Sequence, residues 1–155
     1  MNAQFAKIVQ SLEPSLQRML EMDPLRVDSL PIGLPKQGIY LLSEGGSHLY
    51  VGRSRKIRNR ISSQSKAGGS HKGAAFAFRL AREMTGKVNP TYTTKGSRDD
   101  LMEDPEFRRA FEDAKARIRR MDFRFSKESD SIRQSLLEIY VAVSLNTPYN
   151  SFRTT

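Results

Sequence analysis

The chain has 155 residues, with 26 Lys plus Arg against 17 Asp plus Glu, a formal net charge of +9 and a pI near 10.1. This length fits one domain with a buried core, and the cationic excess favours a polyanionic partner, nucleic acid first and an anionic membrane surface second. The absence of cysteine excludes disulfides and thiolate metal sites, and 2 histidines exclude a histidine-rich zinc site. Any bound metal must therefore be held mainly by oxygen ligands, which points to magnesium or manganese.

The N-terminal part of the chain predicts a helical extension over residues 1–36, packed on the core of a domain over residues 37–155. Apolar residues at helical spacing predict an amphipathic helix over residues 3–12, and a second short helix begins near Pro14. Residues 23–37 contain three prolines and a glycine, which predicts a connector between the extension and the domain.

A hairpin signature follows the connector. Two apolar runs separated by Gly45-Gly46 predict antiparallel strands over residues 38–43 and 48–52. Each strand carries a tyrosine, because the first begins with Gly38-Ile39-Tyr40 and the second ends with Tyr50-Val51-Gly52. The next eight residues contain five cations and no acid: Arg53-Ser54-Arg55-Lys56-Ile57-Arg58-Asn59-Arg60. A tyrosine pair beside an arginine cluster is typical of a site that handles phosphate.

The rest of the chain predicts helices and one further strand. The first two are a helix over 56–64 and a helix over 74–83. A polar stretch over 85–98 follows, which is either mobile or a short edge strand. The last three are a helix from Asp104-Pro105 to about Arg120, an alternating strand from Met121 to Phe125, and a helix over about 130–145. The sequence therefore predicts an α/β fold of the α+β kind. We expect a small three-stranded, mainly antiparallel sheet flanked by helices, with an insertion at about 72–120.

Five of these sequence features resemble the GIY-YIG nuclease family. In that family the two tripeptides lie on adjacent strands, an arginine follows on the next helix, and a glutamate and an asparagine come later. Arg60, Glu138 in Leu136-Leu137-Glu138 and Asn150 in Pro148-Tyr149-Asn150 occupy these places in the same order. The resemblance covers roughly residues 37–152, with a middle stretch that does not align. It implies a GIY-YIG-like fold and a metal-dependent endonuclease that hydrolyses phosphodiester bonds in DNA through a single active site.

The resemblance implies that Glu138 is the ligand for Mg²⁺ or Mn²⁺. One carboxylate is enough when water and substrate phosphate supply the other positions. Taken alone, a glutamate between apolar residues of a helix is an ordinary residue of an amphipathic surface.

The two tyrosines are implied to work in catalysis. Tyr40 is the general base or positions the attacking water, and Tyr50 supports the site by hydrogen bonding. A tyrosine pKa near 10 is too high for a base at neutral pH, so a nearby cation and metal must favour the phenolate. The alternative is that both are ordinary strand aromatics.

Three further residues take their roles from the resemblance. Arg60 contacts the scissile phosphate and stabilises charge as it develops. Asn150 orients the glutamate or its water, although asparagine is also common in turns. Some family members use a histidine after the arginine to accept or relay the tyrosine proton, and His71 is the candidate. A loop histidine after Gly-Gly is as often without a role, and His48 is interpreted as a strand surface residue.

The remaining cations of the cluster predict contacts to the nucleic-acid backbone. Arg53, Arg55, Lys56 and Arg58 would add affinity without sequence information, unless they form only a solvated face. A second basic stretch lies on the helix that ends near Arg120, and it includes Arg108, Arg109 and Lys115. It either lines the DNA path or is a solvated helix face.

Two other classes of function stay open at this stage. One is a non-catalytic basic nucleic-acid-binding module that retains the fold, and the other is a structural or adaptor protein that uses its N-terminal helices on a partner. The expected partner is DNA, with RNA not excluded. Recognition is either built into the N-terminal 37 residues and the 72–125 region, or targeting comes from a homodimer or a partner protein. No apolar run is long enough to span a bilayer, so no membrane association is expected. Compactness and the lack of targeting signals suit a prokaryotic cytoplasm.

Overall fold

The computed structural model describes residues 1–87 and 97–152. It is a mixed α+β structure with a four-stranded antiparallel sheet and flanking helices. The strands are β1 (Leu25–Arg26), β2 (Gly38–Glu44), β3 (Ser47–Ser54) and β4 (Asp122–Lys127). The helices are α1 (Ala3–Gln10), α2 (Leu12–Glu21), α3 (Ile57–Ser65), α4 (Ala75–Thr85), α5 (Arg98–Glu103), α6 (Pro105–Arg119) and α7 (Ser131–Leu145). Within the described ranges no helix is long and apolar enough to cross a membrane.

The sheet has one strand more than predicted. Its order is β1-β4-β2-β3, and every pairing is antiparallel. The additional strand, β1, lies in the predicted connector and pairs Leu25 with Phe123 and Arg26 with Asp122. The prediction of three strands was wrong because two residues are too short to show the alternation by which a strand is recognised.

The predicted hairpin forms around its Gly-Gly turn. Gly45 and Gly46 have φ angles of 58° and 83°, a left-handed pair that matches the twist of the two strands and that glycine adopts without steric cost. An irregularity in the register lies between Leu42 and Ser43. The hairpin therefore aligns Tyr40 with Gly52 and Leu42 with Tyr50.

Two compact units make up the chain. The first, here called the sheet unit, contains Met1–Arg58 and the chain from Met121 onward; the second, the helical unit, contains Asn59–Arg120. In the sheet unit, alternate residues of the hairpin pack against α2 and α7. Nine residues form this cluster: Leu12, Leu16, Met19, Ile39, Leu41, Val51, Leu137, Val141 and Ala142. The core thus lies on the sheet face opposite Tyr40, because neighbouring strand residues point to opposite faces.

The helical unit has an aromatic core between α4 and α6. The Phe78 ring lies 4.9 Å from the Phe107 ring and 6.2 Å from the Phe111 ring. Asp104 caps α6 as predicted, accepting a hydrogen bond from the Glu106 N–H, with Pro105 in the first turn. Residues 88–96 of the polar stretch predicted at 85–98 lie outside the described residues. Helix α5, which begins at Arg98, was not predicted.

Candidate active site on the β2–β3 hairpin

The tyrosine of the first tripeptide packs on the glycine of the second. A Cβ atom placed on Gly52 would lie 2.4 Å from both Cζ and Oη of Tyr40, so only glycine leaves room for the ring. Tyr40 is 1% exposed. The two tripeptides are therefore one packing unit, in which the glycine sets the position of the phenol.

Tyr50 lies on the same sheet face as Tyr40. The two ring centroids are 6.4 Å apart, and the other side of Tyr40 stacks on Phe123 at 5.9 Å with an interplanar angle of 11°. Tyr50 is half-buried, whereas Tyr40 is fully buried. The predicted tyrosine pair thus exists, with Tyr50 its more accessible member.

The glycine of the first tripeptide has a separate role. Gly38 has a φ of 151°, and a Cβ atom there would lie 2.1 Å from the carbonyl oxygen of Ser126. This close approach brings β2 and β4 together at the start of the motif. Both motif glycines are therefore required for steric reasons. The backbone of Ser126 leaves no room for a side chain at Gly38, and the Tyr40 side chain leaves none at Gly52.

Glu138 reaches the hairpin through an ion pair. Its Oε2 accepts a hydrogen bond from Nε of Arg53 at 2.9 Å, and the side chains are 18% and 49% exposed, respectively. Arg53 follows Gly52 on β3 and faces the side of the sheet on which α7 packs. Glu138 and Tyr40 therefore approach the same strand from opposite faces of the sheet.

The side chain of Asn150 completes the open edge of β3. Its Oδ1 accepts from the N–H of Val51 at 2.8 Å, and its Nδ2 donates to the carbonyl of Val51 at 2.7 Å. Thr147 Oγ1 also donates to Asn150 Oδ1 at 2.8 Å. The amide acts as a one-residue extension of the sheet, so Asn150 holds the end of the chain against the strand that carries the motif.

Three motif residues thus contact three consecutive residues of one strand. Asn150 binds Val51, Tyr40 covers Gly52, and Glu138 pairs with Arg53. Asn150 and Glu138 contact this tripeptide of β3 from 99 and 85 positions further along the sequence. Arg53 was predicted to contact the nucleic-acid backbone, and its ion pair with Glu138 was not predicted.

Arg60 and His71 belong to the helical unit. Arg60 is exposed on α3, with a guanidinium nitrogen 3.7 Å from where a Cβ of Gly73 would lie. His71 is half-buried; its Nε2 lies 2.8 Å from Oδ1 of Asp99, and its ring lies 5.8 Å from that of Phe78. Asp99 was not predicted. The other ring nitrogen of His71, Nδ1, is buried and has no hydrogen-bond partner among the described residues.

The remaining cations of the cluster divide into two groups. Arg58 donates to the carbonyl of Pro31, and Arg53 is held by Glu138. Arg55 and Lys56 are exposed on the segment that leads into α3. All four of the predicted backbone contacts are exposed, and Arg53 and Arg58 in addition make the contacts described above.

His48 is more enclosed than a surface residue. Its Nδ1 lies 2.7 Å from Oγ of Ser43, and burial, followed by the charge of Arg124, lowers the pKa of the imidazole from its usual value. His48 is therefore a neutral hydrogen-bonding residue of the hairpin at neutral pH.

A magnesium ion is compatible with Glu138 as a single carboxylate. Within residues 1–87 and 97–152, no group of three or more His, Cys, Asp or Glu side chains comes together to hold a metal ion. Mg²⁺ commonly uses one or two carboxylates and takes its other ligands from water and phosphate. At Glu138 it would share or replace the contact of Arg53 with Oε2.

Comparison with known protein families, characterised proteins and solved structures gave no match. The resemblance to GIY-YIG nucleases therefore stays a prediction from the sequence motifs.

Proposed function

We propose that the chain is a divalent-metal-dependent endonuclease of the GIY-YIG type that hydrolyses phosphodiester bonds in DNA. The proposal is supported by the order of the motif residues in the sequence and by the contacts of Asn150 with Val51 and of Glu138 with Arg53, while Tyr40 packs on Gly52 from the other face of the sheet. A net charge of +9 supplies the attraction to a polyanion.

Each hairpin residue takes a distinct role under this proposal. Tyr40 would accept the proton of the attacking water or position that water, which requires the site to open because Tyr40 is buried over Gly52, and Tyr50 is the neighbouring, more accessible phenol that would support it. Glu138 would hold Mg²⁺ or Mn²⁺, which would supply charge stabilisation for the phosphate. Asn150 keeps β3 in place and is a positioning residue.

The two remaining motif residues lie in the helical unit. Arg60 is exposed, so its guanidinium is open to a phosphate of the nucleic acid. His71 pairs with Asp99 through Nε2, and its Nδ1 is buried without a hydrogen-bond partner among the described residues, so we propose no proton-relay role for it.

A non-catalytic nucleic-acid-binding module is the second candidate, and one observation favours it. The carboxylate of Glu138 is already neutralised by Arg53, an arrangement that stabilises a scaffold without any metal. In such a module the basic surface would bind DNA, and the motif residues would serve packing alone.

Glu138→Gln distinguishes the two candidates. Supercoiled plasmid and single-stranded DNA are incubated with the protein in Mg²⁺, in Mn²⁺ and in a chelator, and DNA binding is measured in parallel. We expect metal-dependent nicking that falls at least about 100-fold in Glu138→Gln, because a catalytic metal is worth several kcal/mol, while DNA affinity is retained.

Glu21→Gln, at an exposed glutamate of α2, is the matched control and should cut like the parent protein. Equal nicking by Glu138→Gln and the parent would exclude Glu138 as the metal ligand. DNA binding without cutting under every condition would favour the binding module.

A further inference from the structure

A polar pocket of about 400 Å³ lies within the helical unit. It is bounded by α3, by the loop that follows α3, and by α6, and all of its lining residues are described. Three lysines line it, Lys66, Lys72 and Lys115, together with the polar side chains of Asn59, Ser62 and Ser63. Its described lining contains no acidic residue, so it presents positive charge and hydrogen-bond donors.

Lys115 is the unusual member of this pocket. It is 0% exposed, although a lysine is almost never fully buried without an anionic partner. Its Nζ donates to the carbonyl of Lys66 at 2.9 Å and lies 4.8 Å from the centre of the Phe111 ring. A carbonyl and an aromatic face stabilise an ammonium group only in part, because neither carries a full negative charge.

The backbone of the loop that follows α3 passes close to the ammonium group of Lys115. A Cβ atom on Gly69 would lie 3.0 Å from Nζ of Lys115, so the glycine allows the close approach of the loop backbone. Burial lowers the pKa of Lys115, and the charge of Arg119 acts in the same direction, whereas Glu112 opposes them. Glu112 itself accepts a hydrogen bond from the N–H of Gly68 at 3.2 Å. An anion that binds in the pocket would neutralise part of the positive charge of the three lysines.

We propose that this pocket binds a phosphate group of the nucleic-acid backbone, as a second phosphate contact besides the cleavage site. Lys66 and Lys72 would donate from the rim and the hydroxyls of Ser62 and Ser63 from α3, while the buried Lys115 would add positive charge beneath the floor. Phosphate suits this set because its oxygens accept several hydrogen bonds at once and its charge matches the lysines. The inference rests on the proposed function only for the source of the phosphate.

Amide NMR during titration with inorganic phosphate tests the pocket directly. We expect saturable shifts of the Gly69 and Ser70 amides, and displacement of phosphate from them by a single-stranded oligonucleotide. Lys66→Gln combined with Lys72→Gln should weaken phosphate binding by about tenfold or more, since both substituted residues are exposed and their loss removes charge without disturbing the core. Ser62→Glu, also at an exposed position, should block the pocket with a negative charge.

The matched control is Arg108→Gln combined with Arg109→Gln. This pair removes the same charge from exposed positions of α6 that do not line the pocket. The absence of a saturable shift, or equal weakening in the control, would overturn the pocket as a phosphate site. Phosphate binding that an oligonucleotide does not displace would overturn the nucleic-acid backbone as its ligand.

The two proposals fail separately. A protein that binds phosphate and oligonucleotide at Gly69 and Ser70 but never cuts DNA contradicts the nuclease alone. A protein that cuts DNA through Glu138 but shows no response at these amides contradicts the pocket alone.

Discussion

The two units of the molecule differ in the hydrogen-bond and ion-pair partners of their enclosed polar groups. In the sheet unit, Glu138 meets Arg53, and the amide of Asn150 uses both its acceptor and its donor on Val51. In the helical unit, the buried ammonium of Lys115 has a carbonyl as its hydrogen-bond partner and lies beside two further lysines. The comparison separates a carboxylate with a cationic partner and an amide with backbone partners from a buried ammonium whose hydrogen-bond partner carries no full charge.

The largest expected effect comes from overfilling the tyrosine–glycine contact in the sheet unit. Gly52→Ala places a methyl group 2.4 Å from the Tyr40 ring, so the free energy of unfolding should fall by roughly 3 kcal/mol, at the upper end for overpacking. Cleavage should fall with it because the phenol moves. Urea denaturation measures the loss, and Gly33→Ala, where nothing lies within 4 Å, is the control. A Gly52→Ala variant as stable as Gly33→Ala would show that Tyr40 does not lie over Gly52.

The next effect comes from opening the edge of β3. Asn150→Ala leaves both backbone groups of Val51 without their side-chain partners, which should cost about 1–2 kcal/mol. Asn150→Asp keeps an acceptor for the Val51 N–H but loses the donor to its carbonyl, so it should also be destabilising. Amide hydrogen exchange at Val51 should accelerate in both variants. Unchanged protection at Val51 would contradict the role of Asn150 as an extension of the sheet.

A smaller effect is expected at the ion pair. Arg53 is half-exposed, so Arg53→Gln should lower the free energy of unfolding by only about 0.2–1 kcal/mol. The difference should shrink as salt screens the charges. A double-mutant cycle with Glu138→Gln measures the coupling, and a coupling of zero would remove the pair from the framework of the sheet unit.

The smallest effect, and the one that probes the helical unit, is a change in pH dependence. The pKa of Lys115 is lowered in the folded protein, chiefly by burial, from the ordinary lysine value of 10.5. Below the folded pKa both states carry the charge, and the penalty for burying it is fully present. As the pH rises towards 10.5, the folded chain loses its proton first, so the free energy of unfolding increases.

Lys115→Met should lose this alkaline gain. The test is urea denaturation of both proteins between about pH 8 and pH 10.5 at low ionic strength. The stability of the parent relative to the variant should rise with pH across that window. A constant difference would mean that the ammonium of Lys115 carries no burial penalty, and the contrast between the two units would disappear.

Local patterns predicted much of the architecture. The Gly45-Gly46 turn, the cap at Asp104 with Pro105, and the apolar period of the last helix are short-range signals, and each led to an element that the structure contains. These predictions succeeded because turns, caps and periodicity act over a few residues of the same segment.

The fourth strand and α5 were missed for the same physical reason. β1 has only two residues, and its pairing depends on β4, which lies about a hundred positions further along the chain. The six residues of α5 are too few for an apolar period to appear. In both cases the stabilising contacts are supplied by distant segments.

What the sequence by itself determined is the inventory: a hairpin with two tyrosines, a capped set of helices, a cationic excess and the order of the motif residues. Only the tertiary structure decided what these residues touch. Tyr40 requires Gly52, Arg53 is the partner of Glu138, and Asn150 binds a strand 99 positions away. Lys115 looked like one cation of a basic helix, yet it is buried because a loop 49 positions earlier folds over it. Burial and partner choice depend on contacts between distant segments, and no local pattern in the chain records them.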